Sequence, residues 1–130
     1  MSFEAAQIAI ESRLAANFTA YPIKWQNVVF DEETESIFVD LQVKEHDSER
    51  ASLGPNPLHR SLGIISINVY VPENSGTATG RGIADDLAAI FRDASFSGII
   101  CRSPVVRNIG SYEGHYVINM SVPFHRDEQF

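Results

Sequence analysis

The sequence predicts an α+β fold: two helices packed on one face of a mostly antiparallel sheet, in the order α-β-β-β-α-β-β. Three observations predict it. Two segments place apolar residues at helical spacing. Several others alternate apolar and polar residues, as strands with one buried face do. The length of 130 residues suits a single domain over 1–130, because two cores would each be marginal in size.

The first helix runs from Phe3 to Phe18. Phe3, Ala6, Ile10, Leu14 and Phe18 recur at steps of three or four, interrupted by Gln7 and Asn17, with Ser2 in the N-cap position. Tyr21-Pro22 ends it, since the residue before proline avoids helical dihedrals. A short strand over Lys24–Val28 then leads into an acidic loop. Ile37, Val39, Leu41 and Val43 form one side of the next strand, and Ser36, Asp40, Gln42 and Lys44 the other. Ile65 to Val71 alternates in the same way.

The second helix is cleaner. Ile83, Leu87, Ile90, Phe91 and Ala94 share one side, with Asp85, Asp86 and Arg92 on the wet side and Gly98 beyond the end. The link that carries it is expected to cross over right-handed if its flanking strands are parallel. Ile99–Cys101 and Val105–Ile109 read as one strand broken at Pro104. Tyr116, Ile118, Met120, Val122 and Phe124 form the buried side of the last strand, joined to its predecessor by a hairpin at Tyr112-Glu113-Gly114.

Between the second and third strands, about 45–62 reads as a long loop. Gly54-Pro55 and Asn56-Pro57 oppose regular structure, and links of more than ~12–15 residues commonly serve a function or are disordered. Leu53 and Leu58 are apolar residues offered by that loop, which suits docking onto another chain. Edge strands of a small open sheet also need cover, which a neighbouring copy can supply.

Composition narrows the function classes. Apolar residues make up 44% of the chain, too many for a disordered one. The net charge of −7 opposes broad nucleic-acid binding, which needs clustered Lys and Arg. Residues 1–50 hold ten acids and four bases, so most of that charge lies there. It is concentrated at Asp31, Glu32, Glu33 and Glu35, then at Glu45, Asp47 and Glu49. One cysteine forms no internal disulfide and suits a reducing compartment. The N-terminus has no basic segment leading an apolar run, and no run approaches the ~20 residues that span a bilayer. A soluble protein made in the cytoplasm is expected.

Enzyme signatures are weak. Gly76–Gly82 precedes a helix as a phosphate loop does, but lacks Gly-Lys-Ser/Thr and Gly-x-Gly-x-x-Gly. Its small residues let helix and strand approach closely. His46, His59, His115 and His125 show no metal-ligand spacing, so no metal or cofactor is expected. Cys101 follows two isoleucines and reads as a buried, inert thiol. Asp85 and Asp86 point about 100° apart on their helix and form no acid–base dyad. No catalytic residue is assigned.

An ordered series of short motifs resembles the tail terminator proteins of long-tailed bacteriophages, the minor tail protein U type. It comprises the N-terminal helix, Pro22-Ile23-Lys24-Trp25-Gln26-Asn27 and Phe38-Val39-Asp40-Leu41. Ser52-Leu53-Gly54, Gly63 to Pro72, and Gly76 with Ile83-Ala84-Asp85-Asp86-Leu87 and Phe91 follow, before the closing hairpin to Pro123-Phe124. The series covers nearly the whole chain. The resemblance implies a non-enzymatic structural protein of the virion tail, assembled in the host cytoplasm. It implies a hexameric ring that caps the tail tube, ends tube polymerisation and meets the head. Its partners are then the major tail tube protein and a head-completion or connector protein, and DNA passes through without specific binding. No membrane is involved.

Under this reading Leu53, Pro55, Leu58, His59 and Arg60 contact the tube or a neighbouring subunit. Asp31, Glu32, Glu33 and Glu35 line the lumen or an acidic ring face, where they repel the DNA backbone. Two alternatives stand beside it. One is another neck, connector or tail-completion protein. The other, of a different class, is a small ligand-binding module or enzyme using Gly76–Gly82 with His115 or Asp85.

Overall fold

A computed structural model describes residues 3–26, 37–50, 58–73, 78–112 and 114–129; Asp47, Glu49, Arg50, Leu58, Glu128 and Gln129 are described by their backbone. The elements are α1 (Phe3–Asn17), β1 (Ile23–Lys24), β2 (Phe38–Arg50), β3 (Leu58–Pro72) and α2 (Ala78–Phe91). They are followed by β4 (Ser95–Phe96), β5 (Ile99–Cys101), β6 (Val105–Tyr112) and β7 (His115–Gln129). Seven strands form one sheet in the order β1-β2-β3-β7-β5-β4, with β6 also pairing β7.

The expected fold class is corrected in three respects. The sheet is mixed, because β1 runs parallel to β2. Strand outweighs helix: a short strand β4 is added, and the one strand expected over Ile99–Ile109 is two, β5 and β6. The helices also do not lie side by side on the sheet face. The backbone of α2 neighbours β3, β6 and β7, while that of α1 neighbours α2. Arg13 of α1 fixes this helix pair by donating from Nε and Nη2 to the Ile90 carbonyl, at 2.9 and 2.7 Å. Each ladder step from β3 through β7 and β5 to β4 is antiparallel. The strands flanking α2 are therefore antiparallel, and the handedness rule for parallel crossovers does not apply.

One buried cluster unites the elements. Ala6, Ile10 and Leu14 of α1 join Ile83, Leu87 and Phe91 of α2. They meet the alternate residues Val39 and Leu41 of β2, Ile65 to Val71 of β3 and Ile118 to Phe124 of β7. α2 approaches the sheet closely at Gly80, where a Cβ would lie 2.5 Å from Ile118 Cδ1, the tip of a side chain. The other face of the sheet is mixed: half-buried Gln42, Ser66, Asn68, Asn119 and Ser121 lie beside exposed Ile64, Ile100, Val105 and Pro123.

The long-loop expectation for 45–62 is also corrected. β2 continues to Arg50 and β3 begins at Leu58, paired in register to Arg50 opposite His59. β7 follows β3 along its other edge as far as Gln129 opposite Leu58. The connection shrinks to 51–57. A register shift between Glu45 and Asp47 marks a bulge in β2, which adds local twist.

The other edge of β7 is shared. Its first half pairs β6, and its second half pairs β5. Arg102 N donates to the Pro123 carbonyl at 2.9 Å, continuing the ladder where Pro104 separates the two strands. The expected hairpin is present, with Tyr112 opposite His115 and Gly114 at φ +85°, a conformation that favours glycine.

Candidate functional site

The extended ends of β2, β3 and β7 form a three-stranded arm built from polar residues. Two ion pairs among the described residues help to hold it. Arg126 is fully buried and donates from Nε and Nη2 to the Glu45 carboxylate at 3.0 and 2.8 Å. Its guanidinium also lies 4.3 Å from the centre of the Phe3 ring, so α1 caps the pair with an aromatic face. Arg60 donates from Nε and Nη2 to Asp127 directly opposite it, at 2.9 and 3.2 Å. That fork holds the Asp127 carboxyl below its ordinary range. Both partners are about one-third exposed, so the pair adds little stability beyond fixing the register.

Gly63 lies within the arm under Phe124. A Cβ there would lie 2.6 Å from the Phe124 ring and 2.7 Å from the Lys44 carbonyl. Next to it, His125 Nδ1 is buried without a hydrogen-bond partner. Desolvation, then the charges of Arg60 and Arg102, lower the imidazole pKa from its ordinary 6.5, with Asp127 opposing.

Of the expected contact residues, Leu53 and Pro55 lie outside the described residues, as do Asp31, Glu32, Glu33 and Glu35. Leu58, His59 and Arg60 are corrected from loop to strand: they open β3. Arg60 is engaged with Asp127, and His59 stands half-buried opposite Glu128 and Arg50.

The remaining candidates separate clearly. Gly76 and Thr77 lie outside the described residues, and Gly80 serves helix–strand approach. Cys101 is buried, and desolvation raises its thiol to about 11, the condition of an unreactive cysteine. His115 joins an aromatic group, its ring edge-on at 5.5 Å from Phe38 and 6.0 Å from Tyr70, which stack at 4.5 Å. Asp85 and Asp86 are exposed on α2. Among the described residues no group of three or more His, Cys, Asp or Glu is arranged to hold a metal ion. No described helix is long and apolar enough to cross a membrane.

Sequence reasoning missed the Glu45–Arg126 pair. A signal existed: Arg126 continues the even-numbered series Ile118, Met120, Val122, Phe124 by one more step toward the buried side.

The family model for phage tail terminator proteins matches residues 5–124, from α1 to the core of β7. The chain belongs to the phage tail terminator family. Terminators are structural proteins of the phage tail, so this one is a tail protein that associates with other tail components. A comparison with curated proteins finds no match. Several chains among solved structures match, and one of them aligns with a TM-score of 0.71 at 20% identity. The alignment covers 100% of the terminator and 98% of that chain, which shows a shared fold.

Proposed function

We propose that this terminator forms a ring that caps the tail tube, ends its polymerisation and offers the face to which the head joins. The observation that carries this reading is the family match over residues 5–124. The arm of β2, β3 and β7 adds a stiff support for the 51–57 connection, which bears Leu53 and Pro55. Leu53, Pro55, Leu58, His59 and Arg60 then contact the tube or a neighbouring subunit at the arm's end. Asp31, Glu32, Glu33 and Glu35 line the lumen and keep passing DNA from sticking, an effect that salt weakens. The hexameric ring sits at the head-proximal end of the virion tail, between the tube protein and a head-completion protein.

Reconstitution tests it. Tube protein is polymerised with and without the terminator, and tube lengths are measured by electron microscopy. Tubes of arrested length with density at one end are the expected result. Tubes that grow without limit in its presence overturn the reading and favour a neck or completion role.

A further inference from the structure

We infer that the open face of the sheet receives helix α1 of a second copy of this chain, in a head-to-tail contact. The inference rests on the ring reading and names the surfaces that build the ring.

The open face has an apolar centre that nothing in the described fold covers. Ile64 pairs with Pro123, Val105 with Ser121 and Ile100 with His125, which places all of them on that one face. Ile64, Val105 and Ile100 are 37, 43 and 44% exposed, and Pro123 between them is exposed too. Beside this centre lies a hollow of about 420 Å³ into which Lys44, His46 and Arg107 converge over Ser66 and Asn119. Lys44 and Arg107 are exposed and have no ion-pair partner among the described residues. An apolar centre with a cationic flank in a chain of net charge −7 is a surface made for an acidic, partly apolar partner.

The outer stripe of α1 has that chemistry. Glu4, Ile8, Glu11 and Ala15 follow one another at helical spacing, opposite the buried Ala6, Ile10 and Leu14. Ile8 is 53% exposed, an apolar residue set between two acids on the wet side of the helix. A second hollow of about 320 Å³, lined by Glu11, Ser12, Ala15 and Trp25, runs beside the stripe. The stripe carries the negative charge and the apolar residue that the open face complements.

The two surfaces differ and look away from each other, because the buried stripe of α1 belongs to the cluster on the opposite side of the sheet. Such a contact is heterologous. Each copy uses its helix on one neighbour and its sheet on the other, which closes into a ring when the rotation permits.

Two half-blocked variants test the assignment. Glu4→Lys with Ile8→Asp and Glu11→Lys spoils the helix stripe and leaves the sheet face. Lys44→Glu with Arg107→Glu spoils the face and leaves the stripe. All five side chains lie outside the core, and urea melts verify folding. Sedimentation and native mass spectrometry then read assembly, with and without tube protein. Wild type is expected to self-associate, and each variant alone at least about tenfold more weakly. An equimolar mixture is expected to restore association, because the intact stripe of one variant meets the intact face of the other and the two reversed charge sets also complement each other. Rings from either variant alone, or a mixture that stays monomeric while wild type assembles, overturn this interface and leave the ring reading standing. Wild type that stays monomeric even on the tube overturns both.

Discussion

At the scale of single residues, the arm depends on charges in unusual places. Glu45→Ala removes the carboxylate to which the buried Arg126 donates and is expected to cost about 3 kcal/mol in urea unfolding. The double change Glu45→Ala with Arg126→Met is expected to recover most of that loss, since a buried ion pair is often replaceable by apolar packing. The two tightly placed glycines answer differently to alanine. Gly63→Ala drives a methyl against a ring and a backbone carbonyl, and about 1–3 kcal/mol of overpacking is expected. Gly80→Ala meets only the flexible tip of Ile118 and gains helix propensity, so the same melts are expected to show a smaller effect. His125 sets a pH dependence. Its neutral form is favoured in the folded state, so the unfolded chain binds the proton first. Stability is expected to fall as pH drops through 6.5 toward the lower folded value, and His125→Gln is expected to flatten that slope. The Asp127 contribution has the opposite origin: it is present above the ordinary carboxylate range and is lost only in stronger acid.

At the scale of elements, the ladder of β2, β3 and β7 pairs the arm along its length. Replacing 51–57 with a short glycine turn is therefore expected to leave the unfolding midpoint nearly unchanged and to abolish termination in the tube-length assay. Elements whose stability comes from burying apolar side chains were legible in the sequence. Leu87 and Phe91 mark α2, and Ile65 to Val71 mark the middle of β3, because hydrophobic periodicity records one buried side. The arm was not legible. Residues 45–50 pair with 59–63 of the neighbouring strand, and 58–62 pair with β7, which lies far away in sequence and supplies the charges of Arg126 and Asp127. A pattern of Glu, His, Asp and Arg reads as loop until the partner strand is known. The same limit hid the open face. Ile64, Val105 and Pro123 fall on three different strands, and only the register between them makes a patch.

At the scale of the molecule, charge is divided between surfaces of different use. Lys44 and Arg107 lie on the open face, whereas Asp31, Glu32, Glu33 and Glu35 form an acid run in the segment between β1 and β2. Neutralising that run, with Asp31→Asn and Glu32, Glu33 and Glu35→Gln, is expected to increase retention of duplex DNA by the assembled protein at low salt. Gel-shift titrations over a salt series check this, and unchanged retention would remove the acids from the lumen. The matched fold at 20% identity shows that the same arrangement is reached by a widely different sequence.

The position of β7 bears on how the protein is made. It comes after every other strand in the chain, yet it lies in the middle of the sheet, between β3 and the pair β5 and β6. The β2–β3 hairpin is made well before β7 and waits while about forty further residues are translated, an interval of roughly 2–8 s at ordinary elongation rates. Throughout that wait one whole edge of β3 is bare, ready to pair with any extended segment it meets. Translation speed between Pro72 and His115 therefore sets how long each nascent chain stays open to mispairing, and a newly made pool is at risk in proportion.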